Sequence, residues 1–135
     1  MNLQIKDVMT PTPHTIGIGL SLADAARVMK KYEIRHLPVL DSGALVGVLT
    51  DRDVKLLSSI SPLDPSCILV EDAMTQAPWM VTPRKTVSEV AREMAKKKIG
   101  CAVVLDPNER VIGVFTTIDA LNVLAGEPRK KRSKA

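Results

Sequence analysis

The stretch Val46-Gly47-Val48-Leu49-Thr50-Asp51-Arg52-Asp53 decides the fold, because it returns in near copy as Ile112-Gly113-Val114-Phe115-Thr116-Thr117-Ile118-Asp119. Each copy reads as a short apolar strand that runs into the first turn of a helix. Thr50 and Thr116 stand at the junction, with Asp53 and Asp119 three residues on, which is the spacing of a capping box with Asp in place of Glu or Gln. As caps alone the threonines have a sufficient role, since Ala in their place costs roughly 0.5–2 kcal/mol. The same junction offers a second use, because the free amides and positive dipole end of a helix N-terminus favour an anion beside the hydroxyl.

Working outward, Ile5-Lys6-Asp7-Val8-Met9-Thr10 aligns with Val70-Glu71-Asp72-Ala73-Met74-Thr75 at an offset of 65 residues. The register holds through Pro13 and Pro78, Ala26-Arg27 and Ala91-Arg92, Met29 and Met94, Ile34 and Ile99, and Val39-Leu40-Asp41 and Val104-Leu105-Asp106. One added residue after Asp106 makes the offset 66 through Gly113, Thr116 and Asp119. Sixteen positions are identical, always in the same order, so the chain is an internal duplication.

The copies predict the same elements. A short turn or helix at Asp-x-Met-Thr leads to an extended stretch holding Ile16 or Val81. A helix follows, opened by the capping boxes Ser21-Leu22-Ala23-Asp24 and Thr86-Val87-Ser88-Glu89. Its apolar face is expected to carry Leu22, Ala25, Ala26 and Met29, or Val87, Val90, Ala91 and Met94. Two short strands come next, Leu37 to Leu40 and Leu45 to Leu49 around the turn Asp41 to Ala44, and Cys101 to Leu105 and Val111 to Phe115 around Pro107-Asn108. Closing helices start near Asp51 and Thr117. The expected division is repeat 1 at 5–57, a Pro-containing linker at 58–69, repeat 2 at 70–124 and a basic tail at 125–135.

Bulk properties exclude several classes. The two cysteines, Cys67 and Cys101, lack the spacing of a zinc site or a disulfide framework, and no apolar run reaches the ~20 residues of a membrane span. Met1 to Thr10 lacks a basic region followed by an apolar run, so no signal peptide is expected and the setting is expected to be the cytoplasm. The net charge of +4 is located in Arg129, Lys130, Lys131, Arg132 and Lys134; without these five, 14 basic residues face 15 acidic ones. Such a tail is read as a solubilising one, and nucleic-acid or membrane contact through it is not expected. Tyr32, Trp79 and Phe115 are too few to make a ladder for stacking bases.

Asp7-Val8-Met9-Thr10, Ser21-Leu22-Ala23-Asp24-Ala25, Ile34-Arg35-His36-Leu37-Pro38-Val39 and Gly47-Val48-Leu49-Thr50-Asp51-Arg52-Asp53, with their second set, resemble a tandem pair of cystathionine-β-synthase (CBS) domains, a Bateman module. The resemblance covers roughly residues 5 to 123. It implies an α+β fold of two β-α-β-β-α repeats packed about a pseudo-two-fold axis, with clefts between them and often a further homodimer. It also implies an adenosine-containing ligand, AMP, ADP, ATP or S-adenosylmethionine, held for regulation and not as a catalytic cofactor. The Gly-x-x-Thr-x-x-Asp motif of the family maps onto Thr50 and Asp53, and onto Thr116 and Asp119, with threonine toward phosphate and aspartate toward ribose hydroxyls. Adenine contacts map onto Ile16, Leu37 and Pro38, or Val81, Ala102 and Val103, positions equally explained as core.

The two sites are not expected to be equal. Arg35, His36 and Arg52 are potential phosphate donors, and their counterparts are Gly100, Cys101 and Ile118. Val103 also stands where the first copy has Pro38. Arg84 and Lys85 are the basic residues that offer compensation in the second copy. One dominant site around Thr50 and Asp53 is therefore expected, in a module that signals to a separate, unidentified protein. The alternatives are a ligand-free dimeric scaffold and an S-adenosylmethionine sensor. Self-contained catalysis is not expected, because His14, His36, Cys67 and Cys101 form no nucleophile, base and orienting group by sequence.

Overall fold

The computed structural model describes residues 3–11 and 14–127, so the expectation for the basic tail lies outside the described residues from 128 on. In chain order the elements are α1 (Ile5–Val8), β1 (Thr10–Pro11), β2 (Ile16–Gly17), α2 (Leu22–Tyr32), β3 (His36–Asp41), β4 (Ala44–Thr50) and α3 (Asp51–Ile60). After a 3-10 turn at Pro65–Cys67 come α4 (Val70–Ala73), β5 (Thr75–Gln76), β6 (Met80–Val81), α5 (Val87–Lys97), β7 (Cys101–Leu105), β8 (Val111–Thr116) and α6 (Thr117–Leu124). The order β-α-β-β-α thus occurs twice, in an α+β fold with two four-stranded sheets.

The chain forms two compact units, His14–Pro78 and a second made of Met1–Pro13 with Trp79–Ala135. In the first, the sheet order is β2-β3-β4-β5, with β2 parallel to β3 and the other neighbours antiparallel. In the second it is β1-β8-β7-β6, with β6 parallel to β7 and the rest antiparallel. Each short edge strand that follows an Asp-x-Met-Thr segment therefore pairs with the strand before a Thr-x-x-Asp junction. Thr10 lies opposite Val114, and Thr75 opposite Val48.

Glycine makes that pairing possible. A Cβ on Gly47 would stand 2.5 Å from the Met74 sulfur and 2.8 Å from the Thr75 carbonyl oxygen. One on Gly113 would stand 2.8 Å from both the Met9 sulfur and the Thr10 carbonyl oxygen. Only a residue without a side chain admits the methionine and backbone of the edge segment so closely.

The long helices form where the capping boxes predict. Ser21 Oγ accepts from the Asp24 amide at 3.1 Å while the Asp24 carboxylate accepts from the Ser21 amide at 3.0 Å. Thr86 and Glu89 repeat the exchange at 3.2 and 3.1 Å. Leu22, Ala25 and Met29 of α2 pack with Ile16, Leu37, Val39, Leu49, Val54 and Val70 into the core of the first unit. Ala26, expected on this face, is exposed, because the buried arc is centred on Ala25 and Met29 and turns Ala26 outward. In the second unit Val90 and Met94 of α5 join Ile5, Val8, Val81, Ala102, Val104 and Phe115.

Two boundaries are finer than the sequence reading. Asp41 pairs with Ala44, so the first hairpin turn is only Ser42-Gly43, both at positive φ, as the twist of a two-residue hairpin demands. Helix α3 continues through Ile60, into the stretch expected as linker, and that stretch then holds the single 3-10 turn.

Candidate functional site

Every residue expected at the first site lies in the unit His14–Pro78, on β2, on β3 or, for Arg35, just before it, and at the β4–α3 junction. Thr50 is the N-cap of α3 in extended conformation, and its Oγ1 accepts from the Asp53 amide at 3.1 Å. The return half of the capping box is not made. The Asp53 carboxylate is half-buried and accepts no hydrogen bond or ion pair among the described residues. Its neighbour Asp51 is paired with Lys55 at 3.1 Å.

Two strands bring further residues to this junction. His36 is the β3 partner of Thr50, and the Asp51 amide donates to the Arg35 carbonyl at 2.9 Å, tying the start of β3 to the first residue of α3. Arg35 and Arg52 are exposed, with no ion pair among the described residues, so two guanidinium groups and a helix N-terminus share one short segment of surface. Ile16 and Leu37 belong to the core cluster, so their side chains are engaged in packing. Pro38 is fully buried on the other face of the strand. It has no N–H at the position where Val103 donates to the Trp79 carbonyl at 2.9 Å, which sets the two copies apart.

The second set lies in the other unit and is wired differently. Thr116 caps α6, accepting from the Asp119 amide at 3.3 Å, and here the Asp119 Oδ2 accepts from the Thr116 amide at 2.9 Å. The Thr10 hydroxyl completes the arrangement, at 3.0 and 3.1 Å from the two carboxylate oxygens. Asp119 is 4% exposed. Val81 and Ala102 are core residues, and Val103 is fully buried outside that cluster. Arg84 and Lys85 are exposed.

Thr10 was missing from the candidate residues. Its signal was the Asp-x-Met-Thr segment, which recurs in both copies, but nothing local in the sequence joins Thr10 to Asp119.

Cys101, paired across the hairpin with Thr116, has its thiol pushed up to about 12 by burial and then by the charge of Asp119. It stays protonated near neutral pH and is a poor nucleophile there. Both cysteines are free, Cys67 being exposed. Among the described residues no group of His, Cys, Asp and Glu is placed to hold a metal ion, and no helix is long and apolar enough to cross a membrane.

Comparison with known proteins matches the CBS-domain family profile twice, at residues 5–59 and 70–126. A CBS domain-containing protein of Dictyostelium discoideum is 31% identical over 135 residues, with 92% of each chain covered. Among solved structures, the CBS domain pair of protein MJ0100, in complex with 5′-methylthioadenosine and S-adenosyl-L-methionine, aligns with a TM-score of 0.82 at 28% identity, covering 93% of this chain and 98% of that one. CBSX2 in complex with AMP aligns with a TM-score of 0.72 at 26% identity, covering 92% and 97%. The chain spans only about a quarter of the length of several curated relatives, such as the L-aspartate semialdehyde sulfurtransferase of Methanocaldococcus jannaschii, of which it covers 23% at 30% identity.

Proposed function

The chain belongs to the CBS-domain family as a tandem pair, and on that premise we propose that it is a regulatory module. It takes an adenosine-containing ligand at the Thr50–Asp53 junction and signals to a separate protein through a change of conformation. The observation that carries this reading is the Asp53 carboxylate, half-buried beside a capped helix start and accepting nothing among the described residues. A carboxylate is an acceptor only and suits the paired hydroxyls of a ribose. Thr50, the amides of α3 and the two exposed arginines suit phosphate. MJ0100 and CBSX2, crystallised with S-adenosyl-L-methionine, 5′-methylthioadenosine or AMP, supply the ligand class. The arginines favour a nucleotide over the phosphate-free sulfonium compound.

Helix-end contacts of ~0.3–1 kcal/mol and a few charge-assisted bonds of ~1.5–3 kcal/mol, less the cost of association, place the affinity between about micromolar and millimolar. The mechanism is linkage: ligand favours whichever conformation binds it more tightly. The setting belongs to the proposal as cytoplasmic, and the regulated partner as a separate protein. A homodimer also belongs to it. Ile118, Leu121 and Leu124 leave α6 with an exposed apolar stripe, and Leu56 and Ile60 leave another on α3, each best covered by a second copy.

Thermal melts of protein freed of carried-over nucleotide, with AMP, ADP, ATP and S-adenosylmethionine in turn, test the reading. A ligand at a hundred times its Kd stabilises by about 2.7 kcal/mol. A rise in Tm with at least one of the four is expected. No rise with any of them moves the assignment to the dimeric scaffold, with Thr50 acting only as a cap.

A further inference from the structure

The two Thr-x-x-Asp junctions are alike in sequence and unlike in their hydrogen bonding. At one, the Thr10 hydroxyl lies within bonding distance of both Asp119 oxygens, and the Thr116 amide takes Oδ2. At the other, the equivalent of Thr10 is Thr75. The backbone frame is copied, since Thr75 lies opposite Val48 as Thr10 lies opposite Val114. Yet Thr75 is exposed, its hydroxyl makes no hydrogen bond among the described residues, and the Asp53 carboxylate accepts none. Asp119 accepts from the Thr116 amide, the Thr116 hydroxyl and the Thr10 hydroxyl, and none of the three has a counterpart at Asp53 among the described residues. Of the three, only the Thr10 contact comes from outside the junction.

A carboxylate offers a ligand only its capacity to accept, and a hydroxyl shared by both oxygens occupies the edge that a ligand's paired hydroxyls would use. We infer that Thr10 decides how many ligands the chain takes: its hydroxyl substitutes for a ligand hydroxyl on Asp119 and closes that junction, leaving Asp53 as the working acceptor. The inference rests on the reading of Thr50 and Asp53 as a ligand site. It goes beyond that reading in assigning a self-occluding role to a residue of the N-terminal segment. Burial agrees, because a ligand reaching Asp119 must first displace Thr10 from a carboxylate only 4% exposed.

The test is the stoichiometry of AMP binding by calorimetry on the full chain freed of nucleotide. Thr10→Val keeps the shape and removes the hydroxyl; Thr10→Ser keeps the hydroxyl. The expected result is one AMP per chain for the unmodified protein and for Thr10→Ser, two for Thr10→Val, and one again when Asp119→Ala is added to Thr10→Val. The second of the two is the weaker, because Gly100, Cys101 and Ile118 stand where the first copy has Arg35, His36 and Arg52; titration to millimolar AMP covers it. A folded Thr10→Val protein that still binds one overturns the inference and leaves the Thr50 site standing. Two AMP per unmodified chain also overturns it. No binding by the unmodified protein with one AMP bound by Thr10→Val upholds the occlusion and rejects the Thr50 site, and no binding by either rejects both. Should Thr10→Val fail to fold, Thr10→Ala takes its place: two AMP per chain are expected, and a folded Thr10→Ala protein that binds one overturns the inference.

Discussion

Asp53 and Asp119 hold the same place in the two copies, and replacing each with alanine is expected to have unequal consequences for stability. Asp119→Ala removes the acceptor of the buried Thr116 amide and of the Thr10 hydroxyl. An orphaned buried donor costs about 1–3 kcal/mol and loss of a hydrogen bond to a charged group about 1.5–3 kcal/mol. Relief of the desolvation of a buried carboxylate offsets part of this. A net loss of about 2–4 kcal/mol remains, which for a chain of this size lowers Tm by on the order of 10 °C. Asp53→Ala removes a carboxylate with no protein partner among the described residues and keeps the Thr50 cap, whose donor is the backbone amide. Its stability change is expected within about 0.5–1 kcal/mol. Urea denaturation of both variants and of the parent measures the difference. Equal losses, or a larger loss for Asp53→Ala, refute the claim that one junction is internally occupied and the other open.

Gly47→Ala drives a Cβ into the Met74 sulfur and the Thr75 carbonyl; the methionine can shift and the backbone cannot, so a loss of about 1–3 kcal/mol is expected by denaturation, with faster amide exchange in β5. A thiol reagent at pH 8 is expected to modify exposed Cys67 quickly and Cys101 only on unfolding, since the Cys101 thiol is pushed up to about 12; two fast equivalents contradict this. Glu89 has its carboxyl held below its ordinary value of 4.5, first by the hydrogen bond from the Thr86 amide. A lowered folded pKa means that this stabilisation is present above the ordinary value and is lost as pH falls through the folded one. The Tm advantage over Glu89→Gln is therefore expected at pH 7 and to close toward pH 3, whereas a gap independent of pH argues against the capping bond as its source.

Local chemistry made much of this fold legible. The boxes Ser21 to Asp24 and Thr86 to Glu89 mark helix starts because their hydrogen bonds close within four residues, and Ser42-Gly43 marks a hairpin because its conformation is set by its own two residues. The destination of the edge segments was not legible. Thr10 pairs with a strand more than a hundred residues away, and two-residue strands carry too little periodicity to name their partner. The candidate site was legible to the same depth. Thr50 with Asp53 and Thr116 with Asp119 are one motif by sequence, and they differ in bonds that depend on packing: Asp119 accepts from its own cap residue and from Thr10, whereas Asp53 accepts from neither Thr50 nor Thr75. Ala26 shows the same limit in a helix, where spacing defines an arc and the neighbouring strands decide how it is turned.

Calorimetric titration of nucleotide-free protein with AMP, beside a Thr50→Ala, Asp53→Ala double variant, tests the central claim most directly. The account predicts saturable binding in the parent, at about micromolar to millimolar Kd, and its loss in a variant that remains folded. Binding of undiminished affinity in the double variant contradicts it.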